Sequence, residues 1–470
     1  MLLPLLLTLL LACPAPTSPS EDSGRPDTGE PACRVPDESD TPLAELGVEV
    51  DAVLTTVARV SWTRSAGSEA WVWFGREGDA LRETKGKPAD GGGERAVLLG
   101  LKADTEHVYR VVAEVDGELL CTEEARFRTG TLPAGLPAVA VESPAGPGAV
   151  SGYTLLPIRD VLGAAGSWAT VVDMEGDYVW FLSVDALRMR LSLDGEALVF
   201  NDRSYGIDSP SRITRAPLDG SPITVVTVPG GHSDFVEVEP GTYATFDWEV
   251  RSFEDGARQI AGERLVEVGP DGSVREIWNV FDDLVPDLSR EYGRDIQGSP
   301  ELEVWPHLNH LHYDPVEDAY IVTARATESV HRVERATGRL SWTLGGVDGD
   351  FAGEGDELRF NPHSAMPTER GVLLFDTGSF QDPACSASVE LDLDLEAWTA
   401  ARSWQYSTED CLRTDFLGNS DLLWSGNRTL VLAMSAQMDE VSAEGELLWR
   451  LRLATGWWLL YAGRVPELGG

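Results

Sequence analysis

Apolar residues along this chain fall in short runs that alternate with polar ones, with no convincing stretch at the three-to-four spacing of an amphipathic helix. Between residues 46 and 131 the runs include Val48-Glu49-Val50, Ala58-Arg59-Val60-Ser61-Trp62, Trp71-Val72-Trp73-Phe74 and Val108-Tyr109-Arg110-Val111-Val112. Turn residues separate them at regular intervals, which predicts the strands of a small β-sandwich. A Pro-, Gly- and Ala-rich stretch from Leu132 to Gly148 then predicts a domain boundary. Strands and turns resume over 149–466, so the whole chain reads as all-β.

Within 149–466 a unit recurs: a turn ending in glycine, then a tryptophan four residues on. It occurs at Gly176/Trp180, Gly338/Trp342 and Gly445/Trp449, and more loosely at Gly272 with Trp278. The glycine suits a hairpin turn that needs positive φ, and the tryptophan suits packing between sheets. Hairpin units repeating at this interval predict a β-propeller. Six blades are placed at roughly 150–185, 186–228, 230–285, 305–345, 360–408 and 415–463, with a seventh if 286–304 holds strands. Upstream, Leu99 to Tyr109 resembles the tyrosine-corner region of fibronectin type III domains, which implies that fold for the N-terminal sandwich.

Composition narrows the partners. The chain has 78 acidic and 37 basic residues, a formal charge of −41, which excludes nucleic acid and an anionic membrane surface as partners. An anion site here has to be a local basic pocket. Residues 1–13 read as an export signal: the apolar run 2–12 is shorter than the ~20 residues a spanning helix needs. Its end, Leu10-Leu11-Ala12-Cys13, resembles the lipobox of bacterial lipoproteins, which implies a lipid on Cys13 and a place in the cell envelope, periplasmic or at the cell surface. The alternative is an ordinary cleaved signal. Residues 14–45, rich in Pro, Ser, Thr and acids, are expected to be a disordered tether. Four further cysteines remain: Cys33, Cys121, Cys385 and Cys411. An even number in an exported chain predicts disulfides, with Cys33–Cys121 and Cys385–Cys411 the most local of three connectivities.

The chemistry concentrates elsewhere. Of seven histidines, three lie in Trp305-Pro306-His307-Leu308-Asn309-His310-Leu311-His312, followed by Arg325 and by Asn361-Pro362-His363. His232, His307 and His363 begin the third, fourth and fifth predicted units, so a propeller would bring them to one channel mouth. On a regular strand His310 and His312 face away from His307, which argues against a three-histidine metal site and leaves both as structural. No metal or other cofactor is called for. His107 and His331 are expected at the surface.

Here the residues are similar to a known family. Trp305-Pro306-His307-Leu308-Asn309, Ile321 to Arg325, Thr337 to Gly346, Phe360 to His363 and Gly371 to Gly378 resemble the signature of bacterial-type arylsulfotransferases. The resemblance implies a six-bladed propeller behind a β-sandwich, and transfer of a sulfuryl group from a phenolic sulfate donor to a phenol acceptor without a nucleotide sulfate. It implies that His363 is the transiently sulfated residue. By the same token His232, His307, Asn309 and Arg325 bind the sulfuryl oxygens or assist proton movement. Those residue types suit the chemistry: arginine forks oxyanions, a neutral imidazole attacks sulfur, and a second histidine handles the phenolic proton. Two rivals stand beside this reading. One is a non-catalytic surface-anchored propeller that binds a ligand or protein partner. The other, a metal- or quinone-dependent oxidoreductase, is disfavoured because no acidic ligand cluster accompanies the histidines.

Overall fold

The computed structural model describes residues 33–37, 40–65, 69–89, 93–143, 148–163 and 165–469. The expected signal, Cys13 and most of the expected tether lie outside them. The described residues are all-β: eight sheets, with one four-residue α-helix, Val280–Asp283.

Two sheets form the N-terminal region. One runs through Leu43–Val50, Ala58–Arg64, Glu94–Leu98 and Lys87–Pro88; the other through Arg82–Lys85, Glu69–Gly75, Glu106–Val115, Glu118–Cys121 and Ala125–Arg128. Their alternating apolar faces bury Val60, Trp62, Val72, Phe74, Leu98 and Val111 in one core. Cys33 is bonded to Cys121, and Arg34 bridges to Leu120. The described end of the expected tether is thus fastened to this region, and its boundary at 45 falls inside a strand that begins at Leu43. His107 is buried against Phe127, not at the surface. The strand carrying it turns that side inward, where Phe127 offers an apolar face.

Six sheets follow in chain order. The first is built on Tyr153–Asp160, Ser167–Val172 and Tyr178–Ser183, and the second on Met189–Leu191, Ala197–Asn201, Ser211–Pro217 and Thr224–Val228. The third comprises His232–Glu239, Thr242–Phe253, Arg258–Val268 and Val274–Asn279, with Glu303–Val304 added in parallel. The fourth contains Leu308–Asp314, Ala319–Ala324, Ser329–Glu334 and Leu340–Gly345. The fifth contains Pro362–Pro367, Gly371–Asp376, Ala387–Asp394 and Thr399–Tyr406, and the sixth Arg428–Leu432, Gln437–Val441 and Leu447–Leu453. The ends are stitched crosswise. Val139–Ser143 completes the sixth sheet, while Trp457–Leu459 and Gly463–Val465 pair with the first. The stretch expected to be only a domain boundary therefore holds a strand, whose short Val-Ala-Val alternation was hidden among prolines and glycines.

The glycine–tryptophan unit has a physical basis. Gly176, Gly272, Gly338 and Gly445 all have positive φ, and Trp180, Trp278, Trp342 and Trp449 are buried. Two residues before each tryptophan the ladder shifts register. Val171 pairs with Trp180 and Val172 with Tyr178; the same skip precedes Trp278, Trp342, Trp404 and Trp449. A bulge of this kind increases local twist. It lets each tryptophan turn into the layer between neighbouring sheets, as where Trp180 packs with residues of the first two.

Candidate functional site

A second set of bulges builds the site. In the third sheet His232 pairs with Phe246 and Phe235 with Thr245, so Ser233 and Asp234 have no partner position. In the fourth, Leu308 pairs with Ala324 and His310 with Thr323, skipping Asn309. In the fifth, Pro362 pairs with Asp376 and Ser364 with Phe375, skipping His363. Bulges break the in-and-out alternation of a strand and re-aim the extra residue. Asn309 and His363 are thus the same structural position in consecutive sheets. His307 lies ahead of its strand, at φ +67° after a cis Trp305–Pro306 bond. Strand parity therefore does not govern His307, His310 and His312, because one is off the strand and a bulge intervenes. The Arg325 amide donates to the His307 carbonyl (3.0 Å), fixing the two residues side by side.

His363 is buried and held at both ring nitrogens. Its Nε2 accepts the Leu417 N–H at 3.0 Å, and its Nδ1 lies 2.9 Å from the Tyr461 hydroxyl. A backbone N–H can only donate, so the proton of the neutral ring sits on Nδ1 and points at Tyr461. Burial, then the nearby charges of Arg188 and Arg325, hold its pKa well below the ordinary histidine value. That burial favours the neutral ring.

Asn309 braces that histidine. Its amide Nδ2 donates to the Pro362 carbonyl (3.2 Å), one residue before His363, and its Oδ1 accepts from the Thr323 hydroxyl. Arg325 is different. No hydrogen bond or ion pair engages its guanidinium among the described residues, although the chain carries 78 acids. Its charge bears on both His307 and His363. Among the described residues the His307 ring has no hydrogen bond either, and Asp295 Oδ2 lies 3.9 Å from its Nδ1. Burial first, then Arg325 and His232, push its pKa down to about 4 against the pull of Asp295.

His232 is fully buried and stacks face to face on Trp248, ring centroids 3.8 Å apart. Tyr205 meets the rings of both His232 (5.3 Å) and His307 (5.9 Å). Glu263, also fully buried, accepts the Leu308 N–H at 2.9 Å and lies 3.9 Å from His232 Nε2.

Several members of the site escaped sequence reasoning. Arg188, at the start of the second sheet, is buried with Asp234 Oδ1 3.2 Å from Nε and its guanidinium over the Tyr461 ring. Asp234 also takes Arg190 (3.0 Å) and the Leu311 N–H (2.8 Å). Tyr461 reaches His363 from the far end of the chain. The one available signal was the Arg188/Arg190 pair opening the second predicted unit, as histidines open the next three. His310 Nδ1 accepts the Ala365 N–H (3.4 Å), a bond that joins two sheets. His331, expected at the surface, is buried between the Ser329 and Thr343 hydroxyls, both 3.0 Å away. Those two hydroxyls satisfy both ring nitrogens, which removes the reason for exposure. Among the described residues the one carboxylate group close enough to hold a cation is Asp173, Glu175 and Asp177. The Lys102 ammonium occupies it, 2.6 Å from Asp177 and 3.3 Å from Asp173.

The arylsulfotransferase (ASST) family matches residues 164–447, more than half of the chain, and the chain belongs to that family. Comparison with curated proteins finds no match. Solved structures with a similar trace include an auxiliary nutrient binding protein from Bacteroides thetaiotaomicron, 8% identical over 88% of this chain and 86% of that one, TM-score 0.34. They also include a streptogramin B lyase, 11% identical over 67% and 88%, TM-score 0.38. The β-propeller domain of Cps50 (Swd1) from Myceliophteria thermophila is 11% identical over 68% and 90%, TM-score 0.37.

Proposed function

We propose that this chain transfers a sulfuryl group from a phenolic sulfate ester to a phenol through a covalent intermediate on His363. The observation that carries the reading is Arg325, an arginine fork without a partner among the described residues, beside two neutral histidines in a strongly acidic chain. A tetrahedral, singly charged sulfate group fits such a fork. Because charge in sulfuryl transfer spreads over the oxygens, as in phosphoryl transfer, catalysis is mostly positioning and electrostatic stabilisation. Arg325 and His307 hold the sulfuryl oxygens. His363 Nε2 forms a bond to sulfur as the sulfur–oxygen bond to the phenol breaks. A second phenol then attacks sulfur and releases the imidazole. Tyr461 keeps the Nδ1 proton in place, so Nε2 is the attacking atom, and Leu417 must give up its hydrogen bond for the attack.

That same Leu417 hydrogen bond favours a second reading, a non-catalytic ring that binds an anionic ligand or a partner. One experiment separates the two: phenol release from an aryl sulfate in the presence of a phenol acceptor. Wild-type turnover that vanishes in His363→Ala supports transfer. Binding without turnover in the wild type supports the second reading.

In this account the six sheets of 139–465 are the blades of one propeller, a view supported by the crosswise stitching of its ends. The two N-terminal sheets are fibronectin type III-like. Export and a lipid on Cys13 complete the proposal, supported by two disulfides, which persist in oxidising compartments. Metabolic fatty-acid labelling that persists in Cys13→Ala would disprove the anchor.

A further inference from the structure

The two N-terminal sheets and the second of the six later sheets meet without closing. Between them lies a cavity of about 660 Å³. Pockets for small molecules run to roughly 300–1,000 Å³, so it has room for one. None of the residues lining it belongs to the histidine site.

The strand Glu94–Leu98 shows how the sequence builds this space. Ala96 and Leu98 turn into the N-terminal core, which leaves Arg95 and Val97, with Leu99 just past the strand, on the opposite face. Val97 and Leu99 join Tyr153 and Leu218 in one apolar cluster, while Arg95 stays exposed. The cavity inherits that division: an apolar floor under a charged rim.

Five cations line it: Arg82, Lys85, Lys87, Arg95 and Arg215. Lys87 pairs with Glu196, and Arg215 with Asp194. The other three have no carboxylate partner among the described residues, in a chain with 78 acids and 37 bases. Arg82 donates to two neutral acceptors, the Tyr153 hydroxyl (2.7 Å) and the Gly100 carbonyl (3.2 Å). Lys85 and Arg95 make no hydrogen bond among the described residues. Lys87 also stands directly opposite Arg95 in the ladder, and like charges so placed destabilise a sheet. Of the four acids lining the cavity, three are engaged. Glu83 accepts from the Trp73 indole (3.3 Å), Glu196 takes Lys87, and Asp219 accepts the Ser221 N–H (2.8 Å). Glu467 alone is left to answer three unpaired cations.

We infer that this cavity binds a small amphipathic anion, an apolar ring or chain carrying one sulfonate, sulfate or carboxylate group. The apolar body lies on Val97, Leu99 and Leu218. The headgroup meets Lys85 and Arg95 and relieves the repulsion between Arg95 and Lys87. The inference does not depend on the transferase reading.

Two dyes test it: 8-anilinonaphthalene-1-sulfonate, and N-phenyl-1-naphthylamine, which has the same rings without the sulfonate. Each is titrated by fluorescence into Arg325→Ala, so that the histidine site does not compete for the anion. The sulfonate should bind at one saturable site, at least about tenfold more tightly than the amine, the least that a charge-assisted contact contributes. Adding Lys85→Ser and Arg95→Ser should weaken the sulfonate by about tenfold or more and leave the amine within roughly threefold. The sulfonate should raise Tm before those two substitutions and not after them. Tm without dye should not fall, because both side chains are exposed and unpaired, and a loss of Tm would show that they hold the fold and not a ligand. Equal affinity for the two dyes, no saturable sulfonate binding, or sulfonate binding untouched by the two substitutions overturns the inference. None of these results bears on sulfuryl transfer at His363.

Discussion

Replacing Arg325 by alanine separates a functional arginine from a structural one. Its guanidinium makes no hydrogen bond or ion pair among the described residues, so its removal should change folding stability by no more than about 0.5 kcal/mol. Removing a donor aimed at developing charge costs about 3 kcal/mol, or roughly two decades of kcat/KM. The opposite behaviour is expected of Arg464. It pairs with Glu440 at 2.6 Å with both side chains fully buried, and truncation leaves a buried carboxylate unpaired at a cost of about 3–5 kcal/mol. The assay is initial-rate phenol release alongside urea unfolding of both variants. Arg325→Lys should recover part of the rate, since charge remains while the planar fork is lost. Wild-type kcat/KM within about threefold in Arg325→Ala, well short of the two decades expected, would refute a role for its guanidinium in the reaction. So would an activity loss that comes with a stability loss like that of Arg464→Ala.

Three further outcomes follow from the packing. Tyr461→Phe leaves the His363 Nδ1 proton without its partner, a loss of about 1–3 kcal/mol; kcat should fall by one to two decades with KM little changed. His331 is buried with its pKa lowered from 6.5 to about 4. The unfolded chain therefore binds its proton more tightly, and the stabilisation present above pH 6.5 is lost as pH falls towards 4. Urea unfolding at pH 7 and pH 5 should show this dependence reduced by about 2 kcal/mol in His331→Gln, and an unchanged dependence would contradict it. The Cys385–Cys411 bond spans 26 residues and precedes the segment carrying Leu417. Its replacement by serines should cost about 3.5 kcal/mol by loop entropy, read as a fall in Tm.

What was legible in the chain depended on range. The glycine–tryptophan hairpins could be read because a positive-φ turn and a buried indole a few residues later are both local facts. The histidines and Arg325 could be read because each opens a repeat or lies in a motif. Tyr461 could not, since it meets His363 from 98 positions further along the chain, and Arg188 gave only the weak signal of a basic pair opening its unit. The parity of His307 and His310 was misleading because a bulge does not announce itself in residue types. His107 and His331 looked exposed as isolated polar residues on apolar strands. In the fold His331 is satisfied by two hydroxyls contributed by its own strand and the next. Val139–Ser143 was masked by its Pro- and Gly-rich flanks, though it completes the last sheet.

The central claim is that His363 carries the sulfuryl group. Incubating the protein with an aryl sulfate alone, quenching, and mapping modified peptides by mass spectrometry addresses it directly. One sulfuryl adduct on the His363 peptide, removed by added phenol, is the predicted result. Turnover in the wild type with the adduct on another residue, or with none formed, would contradict the account.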